Sequence, residues 1–332
     1  MKLLVLGGTR FLGRHAAEQA LAQGHQLTLL HRGKSNPDLF PQAEHRVADR
    51  NGDLSVLQGG TWDACIDTNA YVPRHVRSVA AALVGRVGQY QLVSSISAYD
   101  DAGYDPATGP REDGPLARLA DPLVETVTGE TYGGLKVLCE EAAQQAFGSR
   151  CLVSRPGLIV GPHDPTGRFT WWPQRLLRGG HVLAPGDRAT PVQFIDVRDA
   201  AAWLLRQAAA GTAGVFNLVG PAEPFTIGGL LQAARDALNP AATLHWVDES
   251  WLLEQGVQPW SDLPVWLPQA QAGMHRTDIR RALATGLVSR PVAETLADTA
   301  AWAQGRAAAA GVGLTPEREA TLLQAWAARG TA

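Results

Sequence analysis

Cysteine is scarce in this 332-residue chain: Cys65, Cys139 and Cys151, with no Cys-x-x-Cys spacing. An odd, scattered set excludes a disulfide framework and the usual zinc pattern, and it fits reduced, buried thiols. No apolar run reaches the roughly 20 residues that cross a bilayer, so no membrane association is expected. The apolar stretch Leu3–Gly8 is too short for a secretory signal and reads as a first buried strand, which makes a cytoplasmic location the expectation. Basic charge is not in excess either. A net charge of −3 leaves no electrostatic footprint for nucleic acid. Tryptophan runs the other way, with ten residues, several of them in the second half of the chain.

What is present is an alternation. Lys2–Leu6, Gln26–His31, His45–Val47, Trp62–Asp67, Gln89–Ser94 and Cys151–Ser154 read as short strands. Phe11–Gln23, Pro73–Leu83 and Thr131–Phe147 read as helices between them. Strands alternating with helices predict an α/β fold, a doubly wound parallel sheet covered on both faces. Residues 100–128, rich in Asp, Gly and Pro, read as a long loop. The second half is less regular. Pro156–Thr190 is rich in Gly, Pro and Trp and reads as a substrate-facing segment, with a strand expected at Val192–Val197. Helices are expected over Arg198–Ala209, Ile227–Leu238, Ala293–Gln304 and Pro316–Ala328. There is no internal repeat.

Gly7-Gly8-Thr9-Arg10-Phe11-Leu12-Gly13 lies where the first strand meets the first helix. Glycines there permit a tight turn and close backbone approach, and the helix start offers free N–H groups to a pyrophosphate. Gly7, Thr9, Arg10, Phe11, Leu12 and Gly13 are therefore candidates to bind a dinucleotide on a Rossmann-type sheet. An acidic residue ending the second strand would bond the ribose 2′-hydroxyl and repel a 2′-phosphate. This chain has His31-Arg32-Gly33-Lys34 instead. Arg32, with Lys34 or Arg10 assisting, suits a 2′-phosphate through charge-assisted bonds. That favours NADP and leaves NAD open; a solvated basic turn is the plainer reading of the same residues. Asp49 is placed to touch the adenine amino group and Asn69 to line the ribose, and Arg50 and Pro156 complete the candidate set. The division implied is a dinucleotide-binding domain over 1–155 plus about 191–218. A smaller, partly interleaved C-terminal substrate domain takes about 156–190 and 219–332.

Tyr132 and Lys136 are four residues apart, with Ser94-Ser95 upstream. On a helix that spacing puts both side chains on one face, one turn apart. Lowering a phenol pKa from about 10 toward 7 takes roughly 4 kcal/mol. An ammonium about 4 Å away at an effective dielectric of about 20 supplies a term of that size. The phenol then exchanges a proton with a substrate oxygen near neutral pH.

These residues together resemble the extended short-chain dehydrogenase/reductase family, the NAD-dependent epimerase/dehydratase-like proteins. The likeness runs through GGTRFLG, Val93-Ser94-Ser95, Ala98-Tyr99, Tyr132-Gly-Gly-Leu-Lys136, Arg155-Pro156-Gly157 and Phe194-Ile195-Asp196-Val197-Arg198-Asp199. It implies that Tyr132 is the acid/base, that Lys136 holds the nicotinamide ribose and tunes the tyrosine, and that Ser95 orients the reacting oxygen. Ser97 is the other candidate for that last role. It also implies a homodimer through the helices over 73–83 and 131–147, which the residues themselves do not test.

Departures narrow the chemistry. The middle glycine of the usual fingerprint is Arg10, a variant similar to an atypical branch that includes chloroplast stem-loop RNA-binding proteins. The Asp-Glu pair of sugar-nucleotide dehydratases is replaced by Ile96 and Ser97. The asparagine and arginine that hold a nucleotide sugar are replaced by Leu158 and Val192. Phe169, Trp171, Trp172, Trp260 and Trp266 are then expected as an aromatic wall for a flat or apolar substrate, or else as packing. The leading expectation is an NADP(H)-dependent oxidoreductase for a small, non-nucleotide substrate. An NAD-dependent sugar epimerase, and a non-catalytic nucleotide sensor or RNA-binding relative, stay open beside it.

Overall fold

The computed structural model describes residues 1–329. In chain order its strands are β1 (Lys2–Leu6), β2 (Gln26–His31), β3 (Glu44–Val47), β4 (Trp62–Asp67), β5 (Val87–Val93), β6 (Cys151–Pro156), β7 (Leu158–Val160), β8 (His181–Pro185), β9 (Phe194–Asp196), β10 (Gly214–Leu218) and β11 (Thr243–Val247). The helices are α1 (Phe11–Ala22), α2 (Pro73–Leu83), α3 (Tyr132–Phe147), α4 (Trp171–Arg178), α5 (Val197–Ala210), α6 (Ile227–Leu238), α7 (Glu249–Glu254), α8 (Arg280–Ala284), α9 (Val292–Ala303) and α10 (Pro316–Arg329).

Seven strands form a parallel sheet in the order β10-β6-β5-β4-β1-β2-β3. The central strands are apolar on both faces because both are covered: Leu3, Leu4 and Val5 are fully buried, as parallel sheets require. Helices α1 and α5 pack together on one face, and α2 and α3 on the other. Helix α2 begins with Pro73, whose missing N–H costs nothing in a first turn. Helix α5 is capped by the Asp196 carboxylate, which accepts from the Arg198 N–H. Strand order reverses at β1, between β4 and β2, and a crevice opens there beyond the carboxyl ends of the strands.

Residues between Leu158 and Leu322 build a separate apolar cluster around Phe169, Trp172, Leu183, Leu230, Leu252 and Trp266. Residues Ile195–Leu218 return to the main sheet and pack with β1, α1 and α5. The long loop over 100–128 is irregular, as its composition predicts, and is pinned by a bridge between Tyr99 and Leu116.

Pro156–Thr190 faces the cavity only through Pro156, Gly157, Ile159 and the loop at Pro165, Thr166 and Arg168. It contains β7, α4 and β8, and β8 pairs in parallel with the distant β11. Strand β10, the seventh of the main sheet, was also not foreseen. Cys65, Cys139 and Cys151 are buried and unpaired. No helix among the described residues is long and apolar enough to cross a membrane.

Candidate active site

One cavity of about 650 Å³ runs along the carboxyl ends of β1, β2, β4, β5 and β6. The cofactor candidates and the Ser–Tyr–Lys set lie on its wall: Gly7, Thr9, Arg10, Phe11, Leu12 and Gly13; Arg32 and Lys34; Asp49, Arg50 and Asn69; Ser95, Tyr132, Lys136 and Pro156; Ser97, the other serine candidate, does not. Residues scattered over 150 positions meet because parallel strands all end on one edge of the sheet.

At the α1 end the chain makes an anion cradle. Gly13 is needed there, since a Cβ on it would lie 2.4 Å from the Gly7 carbonyl oxygen. Helix α1 carries no acidic residue in its first turn, and Arg10 makes no side-chain cap. Its free N–H groups and positive end therefore face the cavity. The Asn36 side chain donates to the Thr9 carbonyl at 3.0 Å and holds the 33–40 loop against this turn. These features fit a dinucleotide pyrophosphate. Arg32 and Lys34 are exposed at the cavity edge and in no ion pair among the described residues. The exposed Asp49 carboxyl is held low first by the Asn51 N–H, with smaller contributions from Arg32 and Lys34.

Arg50 lines the cavity but its guanidinium is committed. It donates to both Asp67 oxygens at 2.9 and 2.6 Å, to Asn69 Oδ1 at 2.6 Å and to the His75 carbonyl at 3.1 Å. Asp67 also accepts from the Tyr90 hydroxyl at 2.6 Å. Burial alone would raise the Asp67 pKa, yet Arg50 brings it below the usual value. Through this strut Asn69, which would meet the ribose, is held in place at the end of β4.

The reacting end is set by β5, α3 and the turn at Ile96–Ala98. Both serines line the cavity, but their partners differ. Ser94 donates to Glu140, which is also bonded by Arg155 at 2.6 Å, so Ser94 belongs to a buried structural network. Ser95 lines the cavity and makes a polar contact with Tyr132. Its hydroxyl accepts from the Ser97 N–H at 3.1 Å. Helix α3 comes this close because Gly133 has no side chain: a Cβ there would lie 2.2 Å from the Ser97 carbonyl oxygen. The Tyr-Gly-Gly-Leu-Lys sequence thus brings the phenol to Ser95.

At the phenol, burial is the leading influence. Lys136 donates to the carbonyls of Ala70 at 2.8 Å and Val93 at 2.7 Å, leaving one donor for the cavity. Burial pushes the Lys136 pKa down and the Tyr132 pKa up. After burial, the strongest influences on the phenol are Ser95, Tyr71, Arg168 and Cys139, and Lys136 is not among them. Two of the three Lys136 donors are spent on the main chain. Its ammonium is turned to main-chain oxygens because it is fully buried and must be bonded.

The aromatic wall is also corrected. Phe169, Trp172 and Trp266 are completely buried and Trp171 nearly so; they fill the C-terminal cluster. None of them, nor Trp260, lines the cavity, which gains no lining residue beyond Arg168. Leu158 and Val192, where nucleotide-sugar enzymes carry polar anchors, lie in the same apolar cluster. Sequence reasoning passed over Tyr71, Thr166 and Arg168 on the cavity wall. The available signal was an arginine in a Thr-Gly-Arg-Phe loop just before an apolar run.

Fold and site are of the Rossmann dinucleotide-binding class, a parallel sheet with a glycine cradle at its carboxyl edge. Residues 3–219 match the model of the NAD dependent epimerase/dehydratase family, and the chain belongs to that family. It is 26% identical over 254 residues to chloroplast stem-loop binding protein of 41 kDa b from Arabidopsis thaliana, covering 71% of this chain. The match spans 63% of that protein's length, under two thirds. The fold resembles a UDP-glucose 4-epimerase structure (TM-score 0.67, 14% identity, 92% of this chain and 98% of that one). It also resembles UDP-glucuronic acid 4-epimerase from Bacillus cereus in complex with NAD (TM-score 0.66, 16% identity, 94% and 100%).

Proposed function

We propose that the protein is an oxidoreductase preferring NADP(H), which reduces a carbonyl, or oxidises the matching alcohol, of a small non-nucleotide substrate. The observation that carries this is the meeting of Ser95, Tyr132 and Lys136 with a basic Arg32/Lys34 edge on one cavity. Gly7–Gly13 would hold the pyrophosphate, Arg32 and Lys34 the 2′-phosphate, Asp49 the adenine and Asn69 and Lys136 the riboses. When bound, the nicotinamide supplies or accepts the hydride. Tyr132 passes a proton to or from the substrate oxygen, Ser95 bonds that oxygen, and the Lys136 donor left over completes the relay. A phenol raised by burial is a proton donor at neutral pH, which suits the reducing direction. Small substrate size is supported by the lining that ends at Arg168 and by the burial of Leu158 and Val192. The test is NADPH oxidation against a panel of small carbonyl compounds. Turnover lost in Tyr132→Phe with NADPH binding kept supports the reading; unchanged turnover sinks it.

A second reading, an NAD-dependent sugar epimerase without net redox change, is favoured by the family and by the titles of the similar structures. Mass spectrometry of the nucleotide released on denaturation separates the two, because an epimerase retains NAD tightly. RNA binding, suggested by the name of the Arabidopsis relative, is disfavoured by the net charge of −3. Filter binding at low and moderate salt checks it. A homodimer through α2 and α3 is carried as a proposal, to be read by sedimentation.

A further inference from the structure

We propose that Arg168 binds an oxyanion of the substrate, a carboxylate or a phosphate carried close to the carbon whose oxygen faces Tyr132. This rests on the oxidoreductase reading and adds the substrate's chemical class to it.

Arg168 stands apart from the protein's buried arginines, each of which has a carboxylate partner. Arg50 meets Asp67 at 2.6 Å, Arg155 meets Glu140 at 2.6 Å and Arg175 meets Glu319 at 2.5 Å. Arg168 is partly buried, and no carboxylate among the described residues lies within 4.0 Å of it. Its side chain makes one hydrogen bond among the described residues, from Nε to Thr166 Oγ1 at 3.3 Å, so neither terminal nitrogen has an acceptor among them. Asp164 attracts it but is already occupied, accepting from the Thr166 N–H and hydroxyl at 2.8 Å each.

A desolvated guanidinium without a counter-ion is unfavourable, and burial accordingly pushes the Arg168 pKa down. The side chain is nevertheless held in position. It stacks on the Trp260 ring at 5.4 Å from the centroid, an arrangement that fixes the plane and leaves the donor edge open. That edge belongs to a residue on the cavity wall shared with Ser95 and Tyr132, and its charge is felt at the phenol. A planar fork of donors beside the reacting oxygen matches an oxyanion in a bidentate manner.

The experiment is calorimetric titration of the protein with benzoate and, separately, with inorganic phosphate, with and without saturating NADP⁺. Arg168→Gln is expected to weaken the tighter-binding anion by about tenfold or more while NADP⁺ affinity stays within about threefold. Arg168→Lys should recover part of the loss. Preference for benzoate assigns a carboxylate, and preference for phosphate a phosphoryl group. Unchanged anion affinity in Arg168→Gln overturns the proposal, as does failure of the wild type to bind either anion. A loss of NADP⁺ affinity instead also overturns it, because Arg168 would then serve the cofactor. If the wild type binds no NADP⁺, the oxidoreductase reading fails by itself, and the titration without nucleotide still decides the role of Arg168.

Discussion

The two walls of the cavity are built on different principles. The wall proposed for the dinucleotide is made of strand ends and glycine contacts, with its buried charge paired internally, Arg50 with Asp67, and its unpaired cations Arg32 and Lys34 exposed at the edge. The wall proposed for the substrate is one loop between β7 and α4, and its cation, Arg168, has no carboxylate partner among the described residues. The aromatic residues that follow it are consumed by packing.

The largest expected effect lies where the walls meet. Tyr132→Phe should lower turnover by about 10²–10⁴ with NADPH affinity nearly unchanged, measured by steady-state kinetics and fluorescence titration. Trp266→Ala should cost about 3–5 kcal/mol of stability, read by denaturant melts, with KM little altered. A raised KM at unchanged stability would return Trp266 to the substrate wall and break the contrast.

The pH response of the C-terminal part is next. Burial lowers the pKa of His275 to about 4, while its Nδ1 accepts from the Gln193 N–H at 3.0 Å. Since the folded value lies below the unfolded one of 6.5, this contribution is fully present above 6.5 and fades as pH falls toward 4. The loss is on the order of 2–3 kcal/mol. His275→Asn keeps an acceptor and removes the titration, so thermal melts over that window should flatten. Smallest is the edge of the dinucleotide wall: Arg32→Ser should reduce preference for NADPH over NADH by about tenfold. An unaltered ratio would leave Arg32 a solvated basic turn.

Legibility followed the same divide. Helix α3 was expected from 131 and begins at Tyr132; β4 and α2 fall on their expected bounds. Local periodicity and cap residues specify such elements, and a parallel sheet brings their ends together. Strands β8, β10 and β11 lie outside the regular strand–helix alternation of the first half, and β8 and β11 pair only with each other, 62 positions apart in register. Likewise, nothing local distinguishes Trp172, wholly buried, from a tryptophan facing a ligand. Lys136 shows the same limit: spacing places its Cα relative to Tyr132, but the Ala70 and Val93 carbonyls take two of its donors.

By itself the sequence determined the alternating α/β order, the glycine cradle and the set of residues at the strand ends. These depend on backbone propensity and on interactions within a turn or two. Only the tertiary structure decided which side chains are spent on partners and which remain available. Hydrogen bonds and desolvation are settled by neighbours remote in the chain, as the paired Arg50 and the unpaired Arg168 show.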